Sequence, residues 1–245
     1  MPSWNLEKSI ITLTEEYVAV NKPSGMLSIP DRFNANLPSL SALLHKKYPE
    51  IYIVHRLDRE TSGLILFARN KEAHRYLSQC FESRRLVKYY LALVNGKMAE
   101  PAGKIDLPLI EHPAGNGKMI IAKKGKPAIT EYTVLEDYSL FSLLQVRIHT
   151  GRTHQIRVHL QTTGHPIACD SLYGKGSPIL LSSFKHNYRS ARDQEAEKPL
   201  LSRLALHSSQ LIFTDPQGRE VNLKAPLSRD MNALIQQLGK HSSRP

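Results

Sequence analysis

Cysteine is nearly absent from this chain: Cys80 and Cys169 are the only two in 245 residues. They show no spacing resembling a zinc pair, which argues against a disulfide scaffold or a cysteine metal site and fits a reducing compartment. Long apolar runs are missing as well. No stretch approaches the roughly 20 residues needed to cross a bilayer, and Met1 to Lys8 carries no apolar signal core, so a soluble cytoplasmic protein with no membrane association is expected. Acidic residues are the third shortage. Asp plus Glu number 22 against 33 Lys plus Arg, a net charge of +11, and a field of that sign attracts polyanions, with nucleic acid first among them.

What is present suffices for a sizeable core, with 41% hydrophobic residues forming one large domain or two closely packed lobes. After a polar tail over residues 1–9, Ile10 to Leu13 and Tyr17 to Val20 predict a hairpin turning at Glu15-Glu16, with Lys22-Pro23-Ser24-Gly25 ending its second strand. Leu40, Leu43 and Leu44 fall at helical spacing, and Leu64 to Ala68 is short and apolar enough for a buried strand. From Asn70 as N-cap, Ala73, Leu77, Cys80, Phe81 and Arg84 trace one helix face, with a basic last turn at Arg84-Arg85. Tyr89 to Val94, Thr130 to Leu135 and Leu140 to Ile148 are rich in β-branched and aromatic residues and read as strands.

Gln155 to Thr163 predicts a short helix with Thr153 as N-cap and Gly164 and Pro166 as stops. Ser228 caps a last helix with an apolar stripe of Met231, Leu234, Ile235 and Leu238, closed by Gly239. Residues 182–198 are polar, charged and aperiodic, a composition expected of a mobile surface insertion whose Lys185, Arg189 and Arg192 could touch RNA. No internal repeat is present. Strands and helices without regular alternation indicate an α+β fold with a largely antiparallel mixed sheet.

Two polar clusters could carry chemistry. His55-Arg56-Leu57-Asp58-Arg59-Glu60-Thr61-Ser62-Gly63 is a loop feeding directly into the buried strand, a favoured place for catalysis. An aspartate flanked by arginines there could serve as nucleophile or base, or simply cap a turn in a surface ion pair. The second cluster, Arg147 to His159, ends a strand, turns at Gly151 and opens a helix. That helix N-terminus beside three arginines is a ready phosphate site. His149, His154 and His159 recur every five residues, whereas helical metal ligands need spacings of three or four, and no Cys or carboxylate lies among them. No metal site is therefore expected.

Six stretches, in order, resemble the RluA family of RNA pseudouridine synthases: Val18-Ala-Val-Asn-Lys-Pro-Ser-Gly25, His55 to Gly63, Lys88-Tyr-Tyr-Leu-Ala-Leu-Val94, Gly125-Lys-Pro-Ala-Ile-Thr130, Gly151-Arg-Thr-His-Gln-Ile-Arg-Val-His159 and Leu206-His207. The resemblance runs from about Ile10 to Met231 and implies the pseudouridine synthase catalytic fold over residues 10–240, with helices and loops flanking an RNA-binding cleft. It implies that Asp58 is the catalytic carboxylate acting on the glycosidic bond of a uridine, by adding to C1′ or by removing a sugar proton, with no metal and no cofactor. It further implies that Tyr90 stacks on the target base and helps remove the C5 proton, that Tyr89 faces the other way, and that Arg152 pairs with the aspartate.

A uridine in folded RNA must leave its stack to reach such a pocket, and Arg56 is the natural residue to take its place. His55, Thr61, Thr153, His154, Gln155 and Arg157 complete the expected substrate contacts. The expected partner is ribosomal or transfer RNA, with no obligate protein partner and a monomeric state. Cys169-Asp170 stands where many relatives have Gly-Asp, which puts the local turn in question. The chain begins at the catalytic domain, without the small N-terminal RNA-binding module of some relatives, so recognition is expected from the catalytic domain itself. Two other readings predict different outcomes: an inactive RNA-binding protein of the same fold, and a metal-independent ribonuclease using His149 and His154 as acid and base.

Overall fold

The computed structural model describes all residues except 1–3, 32, 33, 35, 116, 186, 187, 189–196 and 242–245. Much of the insertion expected over 182–198, including Arg189 and Arg192, lies outside the described residues. The elements, in chain order, are α1 (Leu6–Ser9), β1 (Ile10–Leu13), β2 (Tyr17–Lys22), α2 (Leu40–Lys47), β3 (Tyr52–Ile53), β4 (Ser62–Ala68), α3 (Lys71–Glu82), β5 (Val87–Asn95), β6 (Ala102–Asp106), β7 (Leu109–Glu111), β8 (Met119–Ile121), β9 (Ile129–Asp137), β10 (Phe141–Ile148), α4 (Gln155–Thr162), β11 (Leu206–Thr214), β12 (Glu220–Lys224) and α5 (Arg229–His241). The chain divides into two compact units, residues 1–90 with 207–226, and residues 91–206 with 227–245.

In unit 1 the strand order is β1-β2-β4-β11, with β3 beside β4 and β12 beside β11. The predicted hairpin is present as antiparallel β1–β2, β2 and β3 pair antiparallel with β4, and β4 runs parallel to β11 at Ser62 and Gly63. All seven residues of β4 are buried, as its apolar run requires of a strand covered on both faces. Ala73, Leu77 and Cys80 of α3 pack on Leu64, Leu66 and Ala68. Each large apolar side chain so buried contributes roughly 1.5–3 kcal/mol.

Asn70 caps α3 as expected, its side chain accepting the Ala73 amide at 2.8 Å. The helix nevertheless stops at Glu82, before the two arginines. Arg84 takes the left-handed conformation at φ 57°, its amide donating to Phe81 O and that of Arg85 to Cys80 O, a Schellman ending built without glycine. The basic pair thus lies past the helix instead of in its last turn.

In unit 2, β6, β9 and β10 form an antiparallel run, and β7 and β8 form a separate hairpin. Helix α4 packs Val158 against Leu109 and Ala128. Its N-cap is His154, at φ 54°, and not Thr153. No side chain caps this helix; Gln155, its first residue, instead closes the preceding turn, its Oε1 accepting the Arg152 amide at 3.1 Å. Helix α5 buries Met231, Leu234 and Leu238 as predicted but continues through Gly239 to His241. Packing of its apolar stripe outweighs the roughly 1 kcal/mol helical cost of one glycine.

Cys169 occupies a left-handed backbone position at φ 59°, with its Sγ 3.5 Å from Leu201 O. The Gly-to-Cys departure therefore falls where glycine is conformationally free. Burial pushes this thiol up to about 11, which makes it a packed, unreactive group. Cys169→Val, β-branched at positive φ, is expected to lose about 1–3 kcal/mol in urea unfolding. Cys169→Gly should stay within about 1 kcal/mol of the parent, relief of strain offsetting lost burial; equal losses in both variants would contradict this account.

Candidate active site

Between β3 and β4 the chain forms an arm, residues 55–61, that carries Asp58 in unit 1. Lys22, at the end of β2, is fully buried. An ammonium there needs acceptors, and Nζ donates to Pro23 O at 3.1 Å, Met26 O at 2.8 Å and Arg59 O at 3.0 Å. Ser28 Oγ donates to Leu57 O at 2.8 Å and accepts the Leu57 amide at 3.1 Å. The Gly25 amide donates to Arg59 O at 2.9 Å, and Ser24 Oγ to Glu60 O at 2.6 Å.

The backbone is thus clamped on both sides of Asp58, and the Thr61 amide closes the turn on Asp58 O at 3.1 Å. Fixing the neighbours fixes the direction in which the half-buried carboxylate projects. Gly25 supports this at φ 82°. Gly63, at φ 108°, lets β4 approach β11 so closely that a Cβ would collide with the Ser208 carbonyl.

Tyr90, buried on β5 in the same unit, lies within electrostatic reach of Asp58. Burial, and then the charge of Asp58, push its phenol well above the usual tyrosine range, while a hydrogen bond with Ser208 works the other way. The phenol is therefore protonated at neutral pH. Tyr89 is half-buried. Arg56 is exposed, Thr61 is buried, and His55 is packed face to face on Phe81, with centroids 4.5 Å apart.

The remaining predicted residues lie in unit 2. Arg152 is half-buried, with Nε donating to Pro127 O at 3.2 Å. Thr153 is exposed. His154 Nδ1 is 2.8 Å from the Tyr173 hydroxyl, which accepts the Met119 amide at 2.7 Å. Gln155 is buried, its Oε1 receiving Thr150 Oγ1 at 2.7 Å and its Nε2 donating to Ile129 O and Thr130 Oγ1. Arg157 is buried in a two-pronged pair with Asp170, Nε to Oδ2 and Nη2 to Oδ1, both at 2.8 Å.

Of the other histidines, His149 pairs with Glu131 at 2.9 Å, and buried His159 meets Thr130 Oγ1 and Leu107 O, each at 2.9 Å. Among the described residues no group of three or more His, Cys, Asp or Glu could hold a metal ion. A groove of about 670 Å³ lies at the far end of β4 from the arm, lined by Tyr17, Tyr76 and Phe213 with Glu15, Glu16 and Glu72. Those carboxylates make it a poor seat for phosphate.

The profile of a family described as RNA pseudouridylate synthase matches residues 16–162, a span that includes the arm, Tyr90, Arg152 and all of α4. The chain belongs to that family. Members of this isomerase family convert uridine to pseudouridine in RNA. The ribosomal large subunit pseudouridine synthase D of Nitrosomonas europaea is 38% identical over 94% of this chain and 65% of its own length. The dual-specificity RNA pseudouridine synthase RluA of Salmonella typhi is 38% identical over 89% of this chain and 92% of its own. This synthase-family chain therefore spans about two thirds of the first relative and nearly all of the second.

Among solved structures, human RNA pseudouridylate synthase domain containing 4 superposes with a TM-score of 0.71 at 27% identity, covering 96% of this chain and 94% of that one. The α+β fold expected from the sequence is therefore that of the family. Lys22, Ser28 and Ser208 are the synthase residues that sequence reasoning left without a role. Lys22 lies within the family-like stretch Val18 to Gly25, but nothing local to a single sequence marks an ammonium as turned inward.

Proposed function

We propose that this protein isomerises specific uridines of ribosomal or transfer RNA to pseudouridine, with Asp58 as the essential carboxylate. The observation that carries the proposal is the doubly clamped Asp58 arm with the Tyr90 phenol beside it, in a chain of this family. The N1–C1′ bond breaks, the uracil turns, C5 bonds to C1′, and the C5 proton is lost as N1 gains one. Whether the carboxylate attacks C1′ or takes a sugar proton, it must be ionised and aimed, and the clamped backbone supplies the aim.

A phenol kept protonated by burial and by Asp58 is a stacking surface and a hydrogen-bond donor in the resting site, not a base. Tyr90 therefore holds the base first. Consuming the charge of Asp58 removes one of the causes that raise the phenol and so eases formation of the phenolate, the form that can take the C5 proton. Arg56 of unit 1 and Arg152 and Thr153 of unit 2 are at least partly exposed and so available to RNA. Gln155 and Arg157 act by holding unit 2 together, given how completely their polar atoms are used internally.

The names of the relatives, one a ribosomal large subunit synthase and another of dual specificity, support ribosomal or transfer RNA as target. We place the protein in the cytoplasm as a monomer. Among the described residues no helix is long and apolar enough to cross a membrane. The nuclease alternative is disfavoured because His149 is paired with Glu131 and His154 with Tyr173.

Carbodiimide labelling and primer extension on RNA from cells lacking the gene, complemented by the parent or by Asp58→Asn, tests the proposal. A site lost on deletion and restored by the parent alone is expected; strand scission or an unchanged map would overturn it. With a net charge of +11, RNA affinity should fall with salt at a log–log slope of about −0.7 per phosphate contact on single-stranded RNA. A flat response in a filter-binding series would show that charge is not the main source of affinity.

A further inference from the structure

A backbone amide inside a sheet must find an acceptor, and the middle of β4 faces a gap. The Arg69 amide donates to Glu16 O. By alternation in the β2–β4 register, the Leu66 N–H and Leu64 C=O point away from β2. On that side β11 accompanies β4 at Ser62 and Gly63, and β3 at Phe67 and Ala68. Between them, two side chains replace a strand. Ser208 Oγ donates to Leu64 O at 3.0 Å, and His55 Nε2 accepts the Leu66 amide at 3.0 Å.

Because the donor is a backbone amide, Nε2 must be the bare ring nitrogen, which leaves the proton on Nδ1. Phe81 of α3 covers the ring at an interplanar angle of 20°. The charged group facing the imidazole is Lys88 of β5, which lies 5.8 Å over the Phe81 ring and is itself crowded by Arg84. We propose that His55 is a positioning residue for Asp58: its bare Nε2 anchors the first residue of the arm to the middle of β4, three residues before the carboxylate. The proposal rests on the reading of Asp58 as the essential carboxylate.

One end of the arm is thereby tied to the sheet, Ser28 holds Leu57 on the same side of the carboxylate, and Lys22 and Ser24 hold Arg59 and Glu60 beyond it. Burial, and then the charge of Lys88, push His55 down to about 3. A neutral imidazole is what the anchor requires, because protonation would set two donors face to face. His55 thus serves the arm through the sheet, not as a contact of RNA.

The test compares His55→Phe, which keeps the stacking and loses the acceptor, with His55→Gln, whose Oε1 can accept the same amide. His55→Phe should lower kcat by about 10²-fold through misplacement of the arm while RNA Kd stays within about twofold, and His55→Gln should recover at least about tenfold of that loss. Loss of RNA affinity with kcat intact, or two variants of equal activity, would overturn the proposal. A second measurement does not depend on the variants folding or on turnover. In wild-type protein with ¹⁵N-labelled histidine, His55 should show a bare Nε2 and a protonated Nδ1 unchanged from pH 8 to pH 5. Titration within that range overturns the anchor. An inactive wild type with this signature would overturn the assigned reaction instead.

Discussion

Asp58→Asn should abolish turnover, lowering kcat by at least about 10³-fold, while RNA affinity stays within about threefold. Asparagine keeps the shape of the side chain and removes its negative charge. The clamps that set the course of the arm reach backbone atoms of Leu57, Arg59 and Glu60 from residues 22–28, and the substitution leaves them in place. The variant should therefore bind and fold like the parent. Single-turnover kinetics on an RNA carrying the mapped site, beside filter binding, measures both quantities. Retention of even about a tenth of parent activity would remove Asp58 from the role given to it.

The same substitution has a spectroscopic consequence inside unit 1. Asp58 is one of the causes that raise the Tyr90 phenol, so Asp58→Asn should move that tyrosine down toward its ordinary range, and ultraviolet difference titration should show it. An unmoved phenol would mean that burial alone sets its state, and that the two groups are not coupled as the proposed proton transfer needs.

The arm, the hairpin, the buried strand and the capped helix after Asn70 were legible because each is written locally: alternation, a continuous apolar run, an N-cap three residues before an apolar face. Strands β3, β6 to β8, β11 and β12 are not marked by local pattern: most are short, β6 holds Gly103 and Lys104, and β11 carries the polar run His207-Ser208-Ser209-Gln210, so their pairing is supplied from a distance. The inward turn of Lys22 was equally hidden, because its carbonyl partner on Arg59 lies thirty-seven positions along the chain. Arginines near the start of α4 read as a phosphate site for the same reason. Helix N-termini beside basic residues commonly are one, and the carboxylate that claims Arg157 stands thirteen residues further on.

Arg157→Ala should cost about 3–5 kcal/mol of stability, the loss expected when one partner of a buried ion pair is removed, with little change in RNA affinity once the variant is folded. The side chains of Arg157 and Asp170 are 6% and 0% exposed, so what is lost is compensation for a carboxylate that stays buried. Arg157 also lies over the Tyr173 ring at 5.0 Å. Burial by itself pushes Asp170 up, but the hydrogen bonds and charge of Arg157 and the amides of Leu172 and Tyr173 outweigh it, leaving the carboxyl below its usual range. In the parent this contribution is full above the unfolded aspartate value of about 3.9 and is lost as pH falls through the lower folded value. Without the arginine, burial raises the folded value instead, so the variant regains stability as acid protonates Asp170. Urea unfolding at pH 7 and again near pH 4 should therefore show the gap between the two proteins narrowing. A gap that is constant with pH would mean that lost packing, not an unpaired buried charge, accounts for the damage, and weakened RNA binding by a fully folded variant would return Arg157 to the RNA surface.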